Sequence, residues 1–238
     1  MPKTNASLKS NELSLVLNSH FKGKIYLARV KLISHFIIAL CKVQTVSFGK
    51  LANSFDRSSK ASSSLRRIQR FIASYSLDSD LIAKLIFSLL PVKTKLTLTI
   101  DRTNWKFGKT DINIFMLGVV HDGVAFPLLF TMLNKRGNSN SQERIDLIKR
   151  FIRLFGLDSI DSIVADREFV GHRWLEFLNQ HNLRYYIRIR NNFKVFSPDK
   201  NKKIKAWHLF NSYPVNHFHY YHKIVRPHSS YKRNIMFK

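Results

Sequence analysis

The sequence predicts a mixed α/β (α+β) fold: a small helical domain, then a sheet with three antiparallel strands and flanking helices. Three observations predict it. Apolar residues recur at helical spacing as far as Pro91, the period falls to two from Lys93, and from Gln142 onward helix-period and strand-like runs alternate.

Residues 1–24 are read as a separate N-terminal segment, because Met1 to Ser10 is polar and carries no signal-peptide core. From Ile25 to Leu40, the positions Ile25, Val30, Ile33, Phe36, Ile37 and Leu40 mark a helix with one buried face. Two shorter helices are expected at 47–55 and 62–73. The first turns Val46, Leu51 and Phe55 inward. The second turns Leu65, Ile68, Phe71 and Ile72 inward and leaves Arg66, Arg67, Gln69 and Arg70 outside. A further helix runs from about Asp80 to Leu90, with Asp78 or Ser79 as its cap and Pro91 as its stop. Residues 25–91 thus form the helical domain.

The run KTKLTLTIDRTNW (93–105) alternates Leu96, Leu98 and Ile100 on one face and is a strand, with Asp101 near its C-terminal end. Strands at 112–120 and 124–133 follow, joined by the turn chemistry of His121, Asp122 and Gly123. After a polar stretch, residues 142–155 align Ile145, Leu147, Ile148, Phe151, Ile152 and Phe155 in a helical stripe. The pattern leaves Arg144, Lys149, Arg150 and Arg153 exposed beside it. A short buried strand at 162–165 delivers Asp166, a helix follows at 172–181, and a strand at 184–190 ends the core, residues 92–190. Residues 191–238 are basic, aromatic and irregular, with strand-like pieces and no long apolar helix.

Composition narrows the partners. Forty Lys and Arg oppose 15 Asp and Glu, a formal net charge of +25. Such an excess is self-repulsive unless a polyanion shares it, which favours nucleic acid over an anionic membrane. A purely structural basic protein would show the same excess, so charge leaves catalysis undecided. The apolar stretch around Phe36 to Cys41 falls far short of the roughly 18 residues a bilayer helix needs, which excludes a membrane span. Cys41 stands alone, which excludes an internal disulfide framework and a cysteine-built zinc site, and fits a reducing cytoplasm.

Asp101 and Asp166 are distant in sequence but would meet at one sheet edge if the first and fourth strands were neighbours. Two adjacent carboxylates resist joint ionisation unless a cation sits between them, and Mg²⁺ prefers hard oxygen ligands and accepts phosphate as a further one. An Asp at a strand end commonly serves as a turn or cap residue, and spacing does not choose between these readings.

The segments LTIDRTNW (98–105) and IVADREF (163–169) resemble the first and second acidic motifs of the DDE transposases of bacterial insertion sequences, in the insertion-sequence-four superfamily. The run NIFMLGVVHDGVAFPLLFTML between them is similar to that family's hairpin, and the resemblance covers about Leu65 to Arg190. It implies a ribonuclease H-like sheet and a bacterial, cytoplasmic, nucleoid-associated enzyme. Mg²⁺ (or Mn²⁺) would be bound by Asp101 and Asp166 as the first and second catalytic ligands. It also implies double-stranded DNA at transposon ends as substrate and a homodimer in synapsis. The third acid, a Glu from a later helix motif in the family, has no counterpart here. After Glu168 the remaining acids are Glu176, on the next helix, and Asp199, in a Pro- and Lys-rich loop. The resemblance therefore implies a copy that ends, by truncation or frameshift, inside the strand-rich insertion. A second reading is a catalytically inactive DNA-binding fragment that inhibits the full-length enzyme.

Around the acidic motifs, Glu168 is read as a contact to metal or as the partner of Arg167 or another base. Arg102 and Arg167 are read as phosphate grips or salt-bridge partners. Lys106 and Lys109 suit DNA backbone contact or simple solvation. The text SSLRRIQRFIA resembles the family's small helical DNA-binding domain, and Arg66, Arg67 and Arg70 offer guanidinium forks to phosphate or guanine. His208, His217, His219, His222 and His228 invite a zinc reading, but no acid or cysteine accompanies them. A basic aromatic surface, with Trp207, Tyr213, Tyr220 and Tyr221 stacking on bases, or a subdomain core built from these rings, are the alternatives.

Overall fold

The computed structural model describes residues 5–55, 59–190, 192–197, 202–209, 211, 219–224 and 233–237. The chain divides into two compact units, Met1–Leu90 and Pro91–Lys238. Among the described residues no helix is long and apolar enough to cross a membrane.

The first unit is helical: α1 (Asn5–Phe21), α2 (Leu27–Val43), α3 (Phe48–Asn53), α4 (Ala61–Ser74) and α5 (Ser79–Leu89). Where the sequence reading sets residues 1–24 apart, α1 buries Leu17 and Phe21 in a cluster with Val30 and Ile33 of α2 and Leu81 and Leu85 of α5. Its apolar signal is one narrow stripe, Leu13, Leu17 and Phe21 at spacings of four, in an otherwise polar stretch. A second cluster joins Leu32 and Ala39 of α2 to Leu51 and Ala52 of α3, Phe55, and Ile68 of α4. Two inward assignments are corrected. Val46 is exposed because it precedes α3, in the extended segment after Gln44 ends α2 with a left-handed φ of 49°. Ile72 is exposed because Phe71, which packs against both clusters, completes the buried face of α4 in its place. Arg66, Arg67, Gln69 and Arg70 face solvent, as the pattern predicts. Asp78 caps α5, its Oδ1 accepting from the N–H groups of Asp80 at 2.8 Å and Leu81 at 3.4 Å.

The second unit is built on β1 (Leu96–Phe107), β2 (Thr110–His121), β3 (Val124–Met132), β4 (Ile160–Ala165) and β5 (Arg184–Ile187), with α6 (Ser141–Phe155) before β4 and α7 (His172–Gln180) before β5. The strand order is β3-β2-β1-β4-β5. β2 runs antiparallel to both β1 and β3, whereas β4 is parallel to β1 and β5 parallel to β4. Asp122 (φ 49°) and Gly123 (φ 76°) turn β2 into β3, a pair of positive φ angles that fits a two-residue hairpin, with His121, which the sequence reading assigns to the turn, closing β2 instead. Past the bulge between Leu117 and Gly118, a Cβ on Gly118 would lie 3.0 Å from the Phe126 carbonyl oxygen, so a side chain there would push β3 back by a few tenths of an ångström.

The alternation of β1 sends Leu96, Leu98 and Ile100 into a core shared with Phe115, Leu117, Ile163, Ile148, Phe151, Trp174 and Leu178. Phe115 of β2 stacks on Phe169, centroids 5.8 Å apart, which seats the turn after β4 on that core. The opposite sheet face carries exposed Trp105, Phe130, Met132, Val164 and Tyr186. Beyond β5, β6 (Lys194–Ser197) pairs with β7 (Lys202–Lys205), and β8 (His219–Ile224) with β9 (Arg233–Phe237).

Candidate active site

The parallel ladder between β1 and β4 ends at the pair Ile100 and Ala165. Neighbouring strands lie about 4.8 Å apart, and the next residue on each is an aspartate, Asp101 on β1 and Asp166 just past β4. Because Ile100 and Ala165 point into the core, their successors leave the opposite, solvent-facing side of the sheet, and both aspartates are exposed. Asp101 Oδ1 accepts from the backbone N–H of Arg102 at 2.7 Å. Asp166 starts the 3₁₀ turn Arg167–Phe169, its carbonyl accepting from the Phe169 N–H at 3.0 Å. The N–H of Arg188 donates to the Ala165 carbonyl at 3.1 Å, and its guanidinium comes 3.6 Å from Asp166 Oδ1. Arg188 was missed by sequence reasoning. Its proximity comes from β5 running parallel beside β4 and ending at Ile187, whereas the sequence pattern carries that strand on to Arg190.

Arg102 points the other way. Its side chain is 9% exposed, and Nε and Nη2 grip both oxygens of Glu168 at 3.1 and 3.3 Å. Nη2 also donates to Asn138 Oδ1 at 3.0 Å, and Nη1 to Asn113 Oδ1 at 3.4 Å. Of the readings open for Arg102 and Glu168, the structure takes the salt bridge, with each other as partner. Arg167 is exposed beside Asp166, and Lys106 and Lys109 are exposed at the β1–β2 hairpin.

The clearest correction concerns Arg144. Expected on the outside of α6, it is buried, with 4% of its surface exposed. Nε donates to Ser139 Oγ at 2.9 Å, while Nη2 donates to the Ser139 carbonyl and, at 3.1 Å, to the Glu168 carbonyl. The guanidinium also sits 5.2 Å from the centre of the Phe169 ring. Burial pushes its pKa below the ordinary arginine value, opposed by the nearby charges of Glu168 and Glu143.

In the tail, His208 is exposed, its ring centroid 3.9 Å from that of exposed Trp207. His219, Tyr220, Tyr221 and His222 lie on β8, while Asp199, Tyr213, His217 and His228 lie outside the described residues.

The donor set suits a hard divalent cation. Mg²⁺ is commonly held by one or two carboxylates, with water and substrate phosphate completing its shell, and Asp101 and Asp166 supply two exposed carboxylates on one face. Among the described residues no group of three or more His, Cys, Asp or Glu could hold a metal ion.

A mixed sheet in this order, with Asp101 and Asp166 following the last pair of its central parallel ladder, has the arrangement of a ribonuclease H-like domain of mixed α/β class, although β1 itself runs on past Asp101 to Phe107. Residues 92–231 match the transposase DDE domain, and the chain belongs to that family. No curated protein sequence matches it. Among solved structures it is similar to the integrase catalytic core of HTLV-2 in complex with magnesium, with 18% identity, 40% of this chain and 61% of that chain covered, and a TM-score of 0.32. An intasome of simian T-cell lymphotropic virus is similar at 15% identity over 46% of this chain and 36% of that one, TM-score 0.32. The chain thus spans 61% of the length of the HTLV-2 core it matches.

Proposed function

We propose that the chain acts on DNA as an insertion-sequence transposase, binding transposon ends and catalysing divalent-metal-dependent strand cleavage and transfer. The observation that carries this reading is the Ile100–Ala165 register, which starts Asp101 and Asp166 side by side on one exposed face of a transposase-family domain. The two carboxylates would hold Mg²⁺ or Mn²⁺, which supplies activation of a water or 3′-hydroxyl and stabilisation of the leaving oxygen in phosphoryl transfer. Arg188, 3.6 Å from Asp166 Oδ1, adds a further exposed cation at the mouth of the site. Arg167, exposed beside Asp166, would grip a phosphate entering the site, and the exposed Lys106 and Lys109 would extend the DNA contact along the hairpin. Arg66, Arg67 and Arg70, in one exposed row on α4, suit the backbone or major groove of double-stranded DNA. Pairing of two DNA ends calls for a homodimer.

A second reading is favoured by one observation: among the described residues no third acid completes a metal-holding cluster. On that reading the chain binds transposon ends without cutting them and inhibits a complete transposase by forming mixed complexes. A supercoiled plasmid carrying the element's ends separates the two. Incubated with Mg²⁺ or Mn²⁺, the wild-type chain should nick it, and Asp101→Asn should nick it at least about 100-fold more slowly, the loss of several kcal/mol of metal-borne stabilisation. Equal nicking by both removes Asp101 from the mechanism. End binding without nicking by either supports the inhibitory reading.

A further inference from the structure

Beneath the carboxylate pair, on the core side of the sheet, two arginines and a glutamate join the middle of β1 to the turn after β4, just past the point where their backbone ladder stops. Arg102 follows Asp101, and Glu168 lies two residues after Asp166. Their two-pronged ion pair is largely shielded, at 9% and 23% side-chain exposure. Both ends of this tie are anchored. On one side, Arg102 reaches Asn113 and Asn138, and the Asn113 amide donates to the carbonyls of Lys135 at 2.9 Å and Gly137 at 3.0 Å. On the other, Arg144 holds the Glu168 carbonyl from α6 while bonded to Ser139.

The arrangement is not explained by stability alone. Removing two guanidinium groups and a carboxylate from water is costly, and apolar residues of similar volume commonly serve stability as well or better. What the ion pair adds is direction: a bidentate Arg–carboxylate contact fixes distance and angle together.

We propose that Arg102 and Glu168, braced by Arg144, are positioning residues that set the spacing of Asp101 and Asp166 for a shared divalent cation. The proposal rests on the metal-binding reading of those two aspartates and adds the device that holds them in place. None of the three touches the cation. They act through the backbone, Arg102 through its bond to the adjacent Asp101 and Glu168 through the short turn that begins at Asp166. Ligand-orienting partners of this kind typically change metal affinity by about 10–100-fold when removed.

The test is a Mn²⁺ titration of the 238-residue chain, with free Mn²⁺ read by electron paramagnetic resonance. Each variant is measured well below its own Tm, and DNA affinity is measured separately without metal. Arg102→Met and the near-isosteric Glu168→Gln should weaken Mn²⁺ binding by about 10–100-fold. Arg102→Lys, which keeps the charge but loses the fork, should weaken it less. Metal-free DNA affinity should stay within about twofold, since a shielded Arg102 offers phosphate little access. Should Arg102→Met fail to fold, Glu168→Gln carries the measurement. A lowered Tm with wild-type Mn²⁺ affinity assigns the cluster to stability and overturns the proposal, as does loss of DNA affinity with Mn²⁺ binding intact. Asp101→Asn and Asp166→Asn in the same titration separate the two levels. If they bind Mn²⁺ as the wild type does, the metal-pair reading falls and the positioning role with it. If they lose binding while the Arg102 and Glu168 variants keep it, the positioning role alone falls.

Discussion

Replacing Arg144 by methionine removes a buried charge while keeping most of the aliphatic stem, so the change isolates what the guanidinium does. In the folded chain that group donates to Ser139 Oγ, to the Ser139 carbonyl and to the Glu168 carbonyl, with a longer contact to the Val170 carbonyl at 3.5 Å. Each acceptor left without a partner costs about 1–3 kcal/mol. The Ser139 hydroxyl can rotate to another partner, but the two carbonyls cannot. Against this, the variant no longer carries the cost of burying a charge, the same cost that lowers the Arg144 pKa. The balance is a net loss of about 3 kcal/mol, in the range seen when one partner of a buried pair is removed. For a unit of about 150 residues that lowers Tm by roughly 10 °C. Differential scanning calorimetry of wild type and variant measures it.

The pH dependence has a definite sign. With its folded pKa below its unfolded one, Arg144 opposes stability while charged, and that penalty lifts only as pH rises through the lowered folded value toward the unfolded value. Arginine stays protonated well above neutrality, so the Tm difference should be flat between about pH 6 and 9. A variant within about 2 °C of wild type, well under the shift of one kcal/mol in a smaller unit, would refute the reasoning. It would mean that water or a neighbouring donor satisfies both carbonyls.

The exposed row on α4 predicts a change in salt dependence: each of Arg66→Ala, Arg67→Ala and Arg70→Ala that removes a phosphate contact should reduce the slope of log K against log salt by about 1, measured by fluorescence anisotropy on an end-sequence duplex. Unchanged slopes for all three would remove α4 from the interface. Asp78→Ala removes the side chain that accepts from two N–H groups at the start of α5, which should cost about 1 kcal/mol. In a helical unit of about 90 residues that is a fall of roughly 4–8 °C in Tm, readable by circular dichroism, and no fall would mean that water caps α5 equally well.

What could be read from the sequence depended on how far each feature reaches along the chain. The β2–β3 hairpin is local, since Asp122 and Gly123 are residues that accept positive φ, and the structure has them there. The neighbouring of β1 and β4 is not local. Alternation marks where each strand ends, but the pairing that sets Ile100 beside Ala165 spans the whole β2–β3–α6 excursion, and only the motif resemblance pointed to it. The partner of Glu168 was equally hidden, because Arg102 lies on β1, 66 residues away, and the two meet only when the turn after β4 folds against it.

Arg144 was hidden by residue type and not by distance. The buried face of α6 runs through Ile148 and Phe151 to half-buried Phe155, and Arg144 stands one helical step before Ile148 on that same line. Angular position therefore placed it inward, while its charge argued outward. The charge argument fails because Ser139 and the carbonyl of Glu168 offer acceptors that solvent would otherwise supply, and neither can be recognised until the turn after β4 folds back onto α6. An arginine on the apolar line of an amphipathic helix is a conflict between pattern and chemistry, and such conflicts are expected where a fold serves a site and not stability alone. Here the conflict falls on the helix that braces the turn carrying Asp166.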